Sequence, residues 1–401
     1  MTKRCLTALA VALAACRAGA AEGGYSVRDS AGVQIVSNPA SVAGDSGCVA
    51  VDSVPSVTIG GADAEGPYDL VQVGGVLRLA DGEVVALNAS TSELRFFDPS
   101  GRHLRSVGRK GSGPGEFQNP SALLWYGADT LMVRDFATGR ITLLGADGRL
   151  LEEVSLRGAP AGQLLGRMPD GSFLFSAGRT IRPGAEASGR SRSPVHLVRV
   201  SRRGEVLDTL GSFPGRESLI EASERSVMVG PALYGRSTTF AVRGSTLFVG
   251  DNAEYRVRAY SDGRRLERIV AREHSPEPLA AEVVERDRAR RAAALTDARF
   301  RERLERMYQR DRLPEFLPAF GELVVDAQGW LWVSAYATAS EGPRAWDVFD
   351  DSGRLRCALS LPAALSVQEI GRAFVLGVFR DEDGVEHVRL YGLRRGVRPT
   401  S

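Results

Sequence analysis

The sequence predicts an all-β fold built from repeated units, and three patterns support this. Turn tetrads recur, as in "DPSGRHL" at residue 98, "GADGRLL" at 145 and "YSDGRRL" at 260. Upstream of each tetrad, aromatic and β-branched residues alternate with small ones, as in "ADGEVVALN" at 80. Such segments are typical of half-buried strands joined by tight turns. Where nothing is inserted, successive units lie about 45 residues apart, which is a spacing typical of repeat architectures.

The N-terminus predicts export from the cytoplasm. Lys3 and Arg4 precede an apolar run from Cys5 to Ala15. This run is too short for a permanent membrane span and is typical of a secretion signal. No later apolar run approaches the roughly 20 residues that a membrane helix needs, so we expect the remainder to be a soluble body.

A lipid anchor is predicted at Cys16. The residues before it, Leu13-Ala14-Ala15, together with the cysteine resemble the bacterial lipoprotein box, in which the cysteine becomes the lipidated N-terminus. We therefore expect a signal peptide over residues 1–15 and a flexible tether over 16–32. Arg17 stands where an inner-membrane retention aspartate would stand, which favours the outer membrane. Ordinary cleavage after Ala18-Gly19-Ala20 is the alternative and would release a soluble exported protein.

The charge balance excludes one class of partner. Lysine and arginine number 51 against 49 acidic residues. This near-zero balance gives no electrostatic footprint for nucleic acid. We expect a monomer that meets the membrane through its lipid anchor only.

The best-preserved unit predicts four strands, over residues 121–126, 130–135, 140–145 and 150–156. Five full units begin near residues 70, 120, 162, 238 and 320, and a sixth from 366 to 393 supplies only three strands. Four antiparallel strands per unit at this period predict a β-propeller blade. The sequence therefore predicts a six-bladed β-propeller over residues 33–401.

The strand missing from the sixth unit is predicted near the N-terminus. "SVTIGGADAEGPYDL" at residue 56 repeats the pattern of "RSVGRKGSGPGEFQNP" at 105, with a short strand, glycines, Gly-Pro and an aromatic residue. Residues 54–60 therefore resemble an outermost strand that has no unit of its own. We expect this strand to complete the sixth blade and to leave no open sheet edge there.

The glycine-rich stretch "VGRKGSGPGEFQNP", residues 107–120, suggests two interpretations. A phosphate-binding loop would need Gly-Lys-Ser/Thr at its end and a following helix. Here Gly113 precedes Pro114, and another strand is predicted to follow. The stretch is therefore predicted to be a crossover between two blades.

These residues also resemble the NHL type of six-bladed β-propeller. The resemblance rests on "LMVRDFATGRI" at 131 and on Gly108, Gly111, Gly113, Gly115, Phe117 and Pro120. It covers nearly all of the mature chain but is strong only over residues 68–156. Relatives with six blades include metal-dependent lactonases and esterases that hold calcium in a central channel. No local motif here matches those enzymes residue by residue.

Two cysteines remain outside the leader, Cys48 and Cys357. In an oxidising compartment they are a candidate disulfide. Such a bridge would fasten the N-terminal arm to the fifth unit. Two separate buried thiols are the alternative.

The long insertions are predicted to share one face of the propeller. They cover residues 178–194, 214–237, 272–319 and 337–344, all in crossovers or in loops between second and third strands. Residues 272–319 are predicted to be helical. This helical insertion would either pack over the rim or form a lid or docking surface. Variable loops usually carry function on repeat scaffolds, so this face is predicted to be the working one.

Oxygen-bearing side chains on this face are candidate ligands. Second strands end at Asn88, Asp135 and Asn252, and the innermost strands begin at Asp69, Gln163, Thr238, Glu322 and Glu369. The predicted ligand set is Asp69, Asn88, Asp135, Asn252 and Glu322. They could hold a hard cation such as Ca²⁺. However, Asp or Asn closing a turn is more often structural.

No catalytic set converges in the sequence, and no nucleophile elbow is present. We expect no catalytic residues and no cofactor. The favoured function is binding of an envelope protein, peptide or glycan through the long loops. A calcium-dependent lactonase or esterase with its site in the channel is the alternative.

Overall fold

The computed structural model describes residues 24–42, 48–156, 158–178, 188–222, 227–293, 295–338 and 342–397. The predicted signal peptide, Cys16 and residues 17–23 of the predicted tether lie outside these ranges. The described chain is mostly β, with two helices of ten or more residues. Within it, no helix combines the length and apolarity needed to cross a membrane.

The N-terminal arm contains four strands: β1 (Ser26–Ser30), β2 (Val33–Asn38), β3 (Cys48–Val51) and β4 (Val57–Ile59). The first two form an antiparallel hairpin. Its turn residues Ala31 and Gly32 have φ of 54° and 82°, as a two-residue hairpin with matched twist requires. The expectation of a flexible tether up to residue 32 is therefore wrong from Ser26 onward.

Two four-stranded sheets follow in sequence. Sheet 1 consists of β5 (Val73–Arg78), β6 (Val84–Asn88), β7 (Glu93–Phe97) and β8 (His103–Val107). Sheet 2 consists of β9 (Pro120–Gly127), β10 (Thr130–Asp135), β11 (Arg140–Gly145) and β12 (Leu150–Ser155). The strand limits predicted for sheet 2 are confirmed to within one residue. All its neighbouring strands are antiparallel.

The glycine-rich stretch joins β8 to β9, so the prediction of a crossover between sheets is confirmed. It folds around Phe117, which is fully buried and whose backbone N–H donates to the Arg109 carbonyl at 2.9 Å. Gly108 has a φ of 93°, and a Cβ there would lie 2.7 Å from the Phe117 ring. Only glycine therefore fits at this position.

Sheet 3 carries the first insertions. Its strands are β13 (Gln163–Arg167), β14 (Phe173–Gly178), β16 (Pro194–Val200) and β17 (Val206–Pro214). A separate three-stranded sheet comes from the inserted segments: β15 (Gly189–Ser191), β18 (Ser218–Ala222) and β19 (Val227–Pro231). Two insertions predicted only as loops therefore pair with each other.

Sheet 4 consists of β20 (Thr238–Arg243), β21 (Thr246–Asp251), β22 (Arg256–Ser261) and β23 (Arg265–Arg272). The N-terminal hairpin extends it, because β2 pairs in parallel with β23. Asn38 then joins this edge to the next sheet: its Nδ2 donates to the Gly353 carbonyl at 3.0 Å and its Oδ1 accepts from Leu355 N at 2.8 Å.

Two helices follow sheet 4, α1 (Ala281–Ala293) and α2 (Ala298–Met307), in agreement with the predicted helical insertion. We name α1, α2, β15, β18 and β19 the cap. Its apolar cluster includes Leu233, Tyr234, Leu304 and Tyr308. The helices therefore pack on the inserted loop before sheet 4.

The last two sheets complete the chain. Sheet 5 consists of β24 (Leu323–Val325), β25 (Leu331–Ser334), β26 (Pro343–Phe349) and β27 (Leu355–Pro362). Sheet 6 consists of β28 (Leu365–Ile370), β29 (Phe374–Arg380) and β30 (Glu386–Val397). Both N-terminal strands β4 and β3 pair with β30, at its residues 388–390 and 393–397 respectively.

The core lies between the sheets. The first strands contact one another in the order β5, β9, β13, β20, β24 and β28, and β28 contacts β5. Each pair of neighbouring sheets shares one apolar cluster within the described residues. Apolar residues thus cover both faces of each sheet.

The disulfide stays a prediction. Cys357 is buried, and the Val49 backbone N–H donates to its Sγ at 3.3 Å. Because Cys48 immediately precedes Val49, its backbone lies beside Cys357. The side chain of Cys48 lies outside the described part of the chain.

The β4–β30 pairing predicts that Ile59 is critical for stability. Ile59 is buried, lies opposite Val388 and packs in the cluster between sheets 6 and 1. Ile59→Ala should lower the free energy of unfolding by about 2–5 kcal/mol, because it leaves a cavity there. Val54→Ala, at a site 72% exposed, should change it by less than about 0.5 kcal/mol. Urea unfolding measures both, and equal effects would contradict the packing of β4 in the core.

Candidate functional site

Three of the predicted ligands are buried where second strands end. Asn88, at the end of β6, accepts a hydrogen bond from Val71 N through Oδ1 at 2.7 Å. Its Nδ2 donates to Ser90 Oγ and Thr91 Oγ1 at 3.2 and 3.0 Å. Asn88 therefore fixes the segment that leads into β5.

Asp135, at the end of β10, has the same position in sheet 2. Its Oδ2 accepts from Gln118 N at 2.6 Å, and its Oδ1 accepts from Asn119 N and Thr138 N at 3.2 and 3.0 Å. Both carboxylate oxygens are thus bound to backbone amides. Asp135 is fully buried, as a charge compensated by several backbone donors can be.

Asn252 and Ser334 repeat the arrangement in sheets 4 and 5. Asn252 Oδ1 accepts from Ser237 N at 2.7 Å, and its Nδ2 donates to the Phe320 carbonyl at 3.0 Å. Ser334 Oγ accepts from Glu322 N at 2.8 Å. We name Asn88, Asp135, Asn252 and Ser334 the strand-end clamp. Ser334 was not predicted as a site residue, although its position after "LWV" matches that of Asn88 after "VAL".

The two remaining predicted ligands are exposed. Asp69 offers its backbone carbonyl to Arg95 Nη1 at 2.6 Å. The side chain of Glu322 pairs with Arg344 Nη1 at 3.3 Å. Asn88 Nδ2 donates to the Asp69 carbonyl at 3.5 Å. Among the described residues, no three His, Cys, Asp or Glu side chains are grouped so that they could hold a metal ion.

Glu369 connects three sheets on their inner strands. Its Oε2 accepts from Arg78 N at 2.8 Å, and its Oε1 accepts from Trp125 Nε1 at 3.3 Å. Burial raises the pKa of the Glu369 carboxyl, while these hydrogen bonds and the charges of Arg243 and Arg78 lower it by less. Glu369 on β28 thus links sheet 6 to β5 and β9.

The strand-end clamp predicts that Asn252 stabilises the fold without metal. Asn252→Ala leaves Ser237 N and the Phe320 carbonyl without this partner, so the free energy of unfolding should fall by about 1–3 kcal/mol. Glu322→Ala, at an exposed site, is the matched control and should have little effect.

Thermal unfolding with Ca²⁺ and with chelator distinguishes a structural role of these residues from a role as Ca²⁺ ligands. We expect the loss in Asn252→Ala to be the same in both conditions. If Ca²⁺ instead raises the unfolding temperature of the wild type and does not raise that of Asn252→Ala, Asn252 is a Ca²⁺ ligand.

A cavity of about 530 Å³ lies between the N-terminal hairpin and sheet 4. Its walls include Tyr25, Tyr255, Arg272 and His274. The Tyr255 hydroxyl donates to Asp347 Oδ2 at 2.5 Å, and Arg272 Nε lies 3.5 Å from the same oxygen. A concave site with shifted titratable groups is a candidate binding site.

The environment of this cluster shifts three pKa values. Burial raises the pKa of Asp347, against the Tyr255 hydrogen bond and the charge of Arg272, which lower it. Burial also raises the pKa of Tyr255 well above its ordinary value, and the Asp347 charge adds to this. Burial and the Arg272 charge lower the pKa of His274. No sequence pattern predicts this cluster, because its members come from three separate segments.

The chain matches no family model, and no curated protein matches it in sequence. Among solved structures, an exported protein of Bacteroides fragilis superimposes with a TM-score of 0.51 at 13% identity, covering 90% of this chain and 99% of its own. With the contacts between successive four-stranded sheets, this similarity decides the fold class. The chain is a β-propeller.

Two further structures show weaker similarity. A member of the DUF4221 family from Bacteroides vulgatus has a TM-score of 0.49 at 9% identity, with 86% of this chain and 99% of that one covered. A gluconolactonase from Xanthomonas campestris has a TM-score of 0.40 at 15% identity, with 82% and 88% covered.

The insertions of this propeller gather at one end of the sheets, which we name the insertion face. Crossovers and the loops between second and third strands lie there. Large exposed apolar residues on this face include Val71, Phe136, Met228, Phe300 and Phe316. Phe136 is 56% exposed and follows β10 directly.

Ion pairs fix the cap in place on this face. Glu217 pairs with Arg190 and Arg236 at 2.9 and 3.2 Å. Burial opposes ionisation of Glu217, but these arginines outweigh it and lower its pKa to about 2. Arg190 Nη1 also donates to the Arg312 carbonyl at 2.6 Å, beyond α2. The small sheet and the helices are thus joined.

A second network lies inside the cap. The hydroxyls of Tyr234 and Tyr308 donate to Asp287 Oδ2 at 3.2 and 2.6 Å. Arg290 and Arg291 pair with the same carboxylate at 2.6 and 3.0 Å. Asp287 is buried. The two tyrosines hold α1 against the inserted loop and the end of α2, while the two arginines lie on α1 itself and compensate the charge.

The raised pKa of Asp347 predicts a pH effect on stability. The folded chain holds this proton more tightly than the unfolded chain, so the contribution of Asp347 to the free energy of unfolding falls as pH rises from about 3.8 through the folded pKa. Asp347→Asn cannot ionise. The stability of the variant relative to wild type should therefore be higher at about pH 7 than at about pH 4.

Denaturant unfolding at the two pH values measures this difference. Asp351→Asn, at an exposed site in the next turn, is the control and should show a constant offset. A relative stability of Asp347→Asn that falls between about pH 4 and about pH 7 would mean that Arg272 outweighs burial.

Proposed function

We propose that this chain is an exported, lipid-anchored propeller that binds an envelope protein, peptide or glycan through its insertion face, without catalysing a reaction. The proposal rests on the position of the long insertions, which lie at one end of the sheets. The described parts of three insertions form a cap at one end of the sheets, and the exposed side chains of Val71, Phe136, Met228, Phe300 and Phe316 lie at the same end. Function on repeat scaffolds concentrates on such loops.

The proposed scaffold is a six-bladed propeller closed by β4. The cyclic order of first-strand contacts and the pairing of β4 with β30 support this closure. Pairing with β4 covers the outer edge of sheet 6, and a closed ring leaves only short, protected edges and gives a rigid base for loops.

The proposed cellular location rests on the N-terminal residues. Lys3 and Arg4 before a short apolar run support export, and the box ending in Cys16 supports lipidation. The outer membrane is proposed because Arg17 replaces the retention aspartate.

A partner site is proposed on the cap-free part of the insertion face, around Val71 and Phe136. Both side chains are exposed. Val71 lies in the segment that leads into β5, and Phe136 directly follows β10. Exposed aromatic residues on a rigid scaffold are typical binding anchors.

A calcium-dependent lactonase or esterase has less support. The oxygens that would bind the metal at Asn88, Asp135 and Asn252 already accept backbone N–H groups. Backbone amides therefore already use part of the acceptor capacity that a cation would need there.

Affinity capture from envelope extract with the mature chain tests the binding function. Phe136→Asp should reduce recovery of the partner at least about tenfold, because it places a charge in an apolar contact. Leu151→Asp, on the outer strand of the same sheet, should leave recovery unchanged. No protein, peptide or glycan recovered above background, or equal recovery with both variants, would contradict the proposal.

A further inference from the structure

One flank of α2 carries arginine side chains and an exposed aromatic ring. Phe300 is 57% exposed, and Arg299 and Arg303 flank it along the helix. Leu304 faces inward and is buried in the cap cluster. Phe300 lies one turn before Leu304 on the same stripe of α2, but it is not part of the cap cluster, so its ring stays in solvent.

Strand β19 lies beside this part of α2. A Cβ on Gly230 would be 3.7 Å from Arg303 Nη2. Two neighbours of Gly230, Met228 and Val229, are 40% and 42% exposed. The backbone of β19 at Gly230 thus borders Arg299, Phe300 and Arg303, which we name the α2 patch.

The helical part of the cap is basic. From residue 281 to residue 312 the chain has ten arginines against seven acidic residues. This excess is larger than the net charge of +2 of the whole chain. Nearby carboxylates compensate this charge in part: Arg299 pairs with Asp297 at 3.6 Å. The pKa of Glu221 on β18 is lowered mainly by its hydrogen bond with Arg312, and the charge of Arg303 adds to this.

The chain enters the folded body at the same face. Ser26 pairs with Ser37 near the C-terminal end of β2. At this end of β2, Asn38 pairs with Arg272 of β23. Gly24 and Tyr25 consequently line the cavity with His274 and Pro276, where the helical insertion begins. Eight peptide steps separate Gly24 from Cys16, and they can span at most about 30 Å.

We infer that the α2 patch docks on an anionic lipid surface. The inference goes beyond the proposed function, since it concerns the cap and not the region around Phe136. Arginine attracts anionic headgroups, and aromatic and aliphatic side chains enter the boundary between headgroups and acyl chains. A short tether at the insertion face would hold the patch close to the membrane. The partner would then be met at the membrane surface.

Vesicle cosedimentation of the mature chain with Cys16→Ser tests this inference without lipid on the protein. The probes are vesicles of phosphatidylcholine alone and of phosphatidylcholine with phosphatidylglycerol. With no change in the cap, this protein should bind the anionic vesicles, and added salt should weaken the binding. Arg299→Glu with Arg303→Glu should weaken this binding at least about tenfold.

The matched control reverses two arginines in tight turns at the opposite end of the sheets, Arg149→Glu with Arg203→Glu. It should keep binding within about twofold of wild type, since only the patch meets the lipid. Phe300→Ser should weaken binding with the charges intact. Circular dichroism establishes that each variant is folded.

Three outcomes would overturn the inference. They are equal binding to both vesicle types, equal loss in the patch and control variants, and no vesicle binding while an acidic protein is captured through the patch. The last would assign the patch to a protein. Failure of the Phe136 experiment leaves these results unaffected, so the two proposals fail separately.

Discussion

Mutual burial between neighbouring sheets is the constraint on which this structure depends. Every sheet packs one face against the preceding sheet and the other against the following one. A sheet that is apolar on both faces cannot be stable alone, because exposing either face would cost about 25 cal/mol for each Å² of apolar surface. Stability therefore comes from the whole set of sheets, and the first and last must also be covered.

The strand-end clamp solves a related problem where the chain enters four of the sheets. A chain that leaves the outer strand of one sheet for the inner strand of the next must bring several backbone amides into a buried region. Buried amides need partners. A polar side chain at the end of the second strand supplies one, so Asn88, Asp135, Asn252 and Ser334 have the same position in four sheets. Their polarity serves the architecture.

The insertion face is built on this rigid base. The cap has its own apolar cluster and two arginine-rich ion-pair networks, centred on Glu217 and Asp287. Those buried carboxylates depend on their partners, since burying a charge without compensation is costly. The cap is thus ordered by its own interactions, and it covers one part of the face while the region around Phe136 stays open.

The sequence by itself determined the strands of the repeated units, their turns and their order, because period-two patterns and glycine turns are local signals. The limits of β10 and β11 could be predicted to the residue. It also indicated the helical insertion and the partial sixth unit. Asn88, Asp135 and Asn252 were found by position, but their sequence contexts did not distinguish a metal ligand from a structural clamp.

Only the tertiary structure decided how distant segments meet. The hairpin of β1 and β2 adds to sheet 4, and two insertions pair as a small sheet. The Tyr255–Asp347 hydrogen bond joins residues 92 positions apart. Such contacts follow from shape and charge complementarity between surfaces. Those surfaces exist only after the sheets have packed, so no local period in the sequence records them.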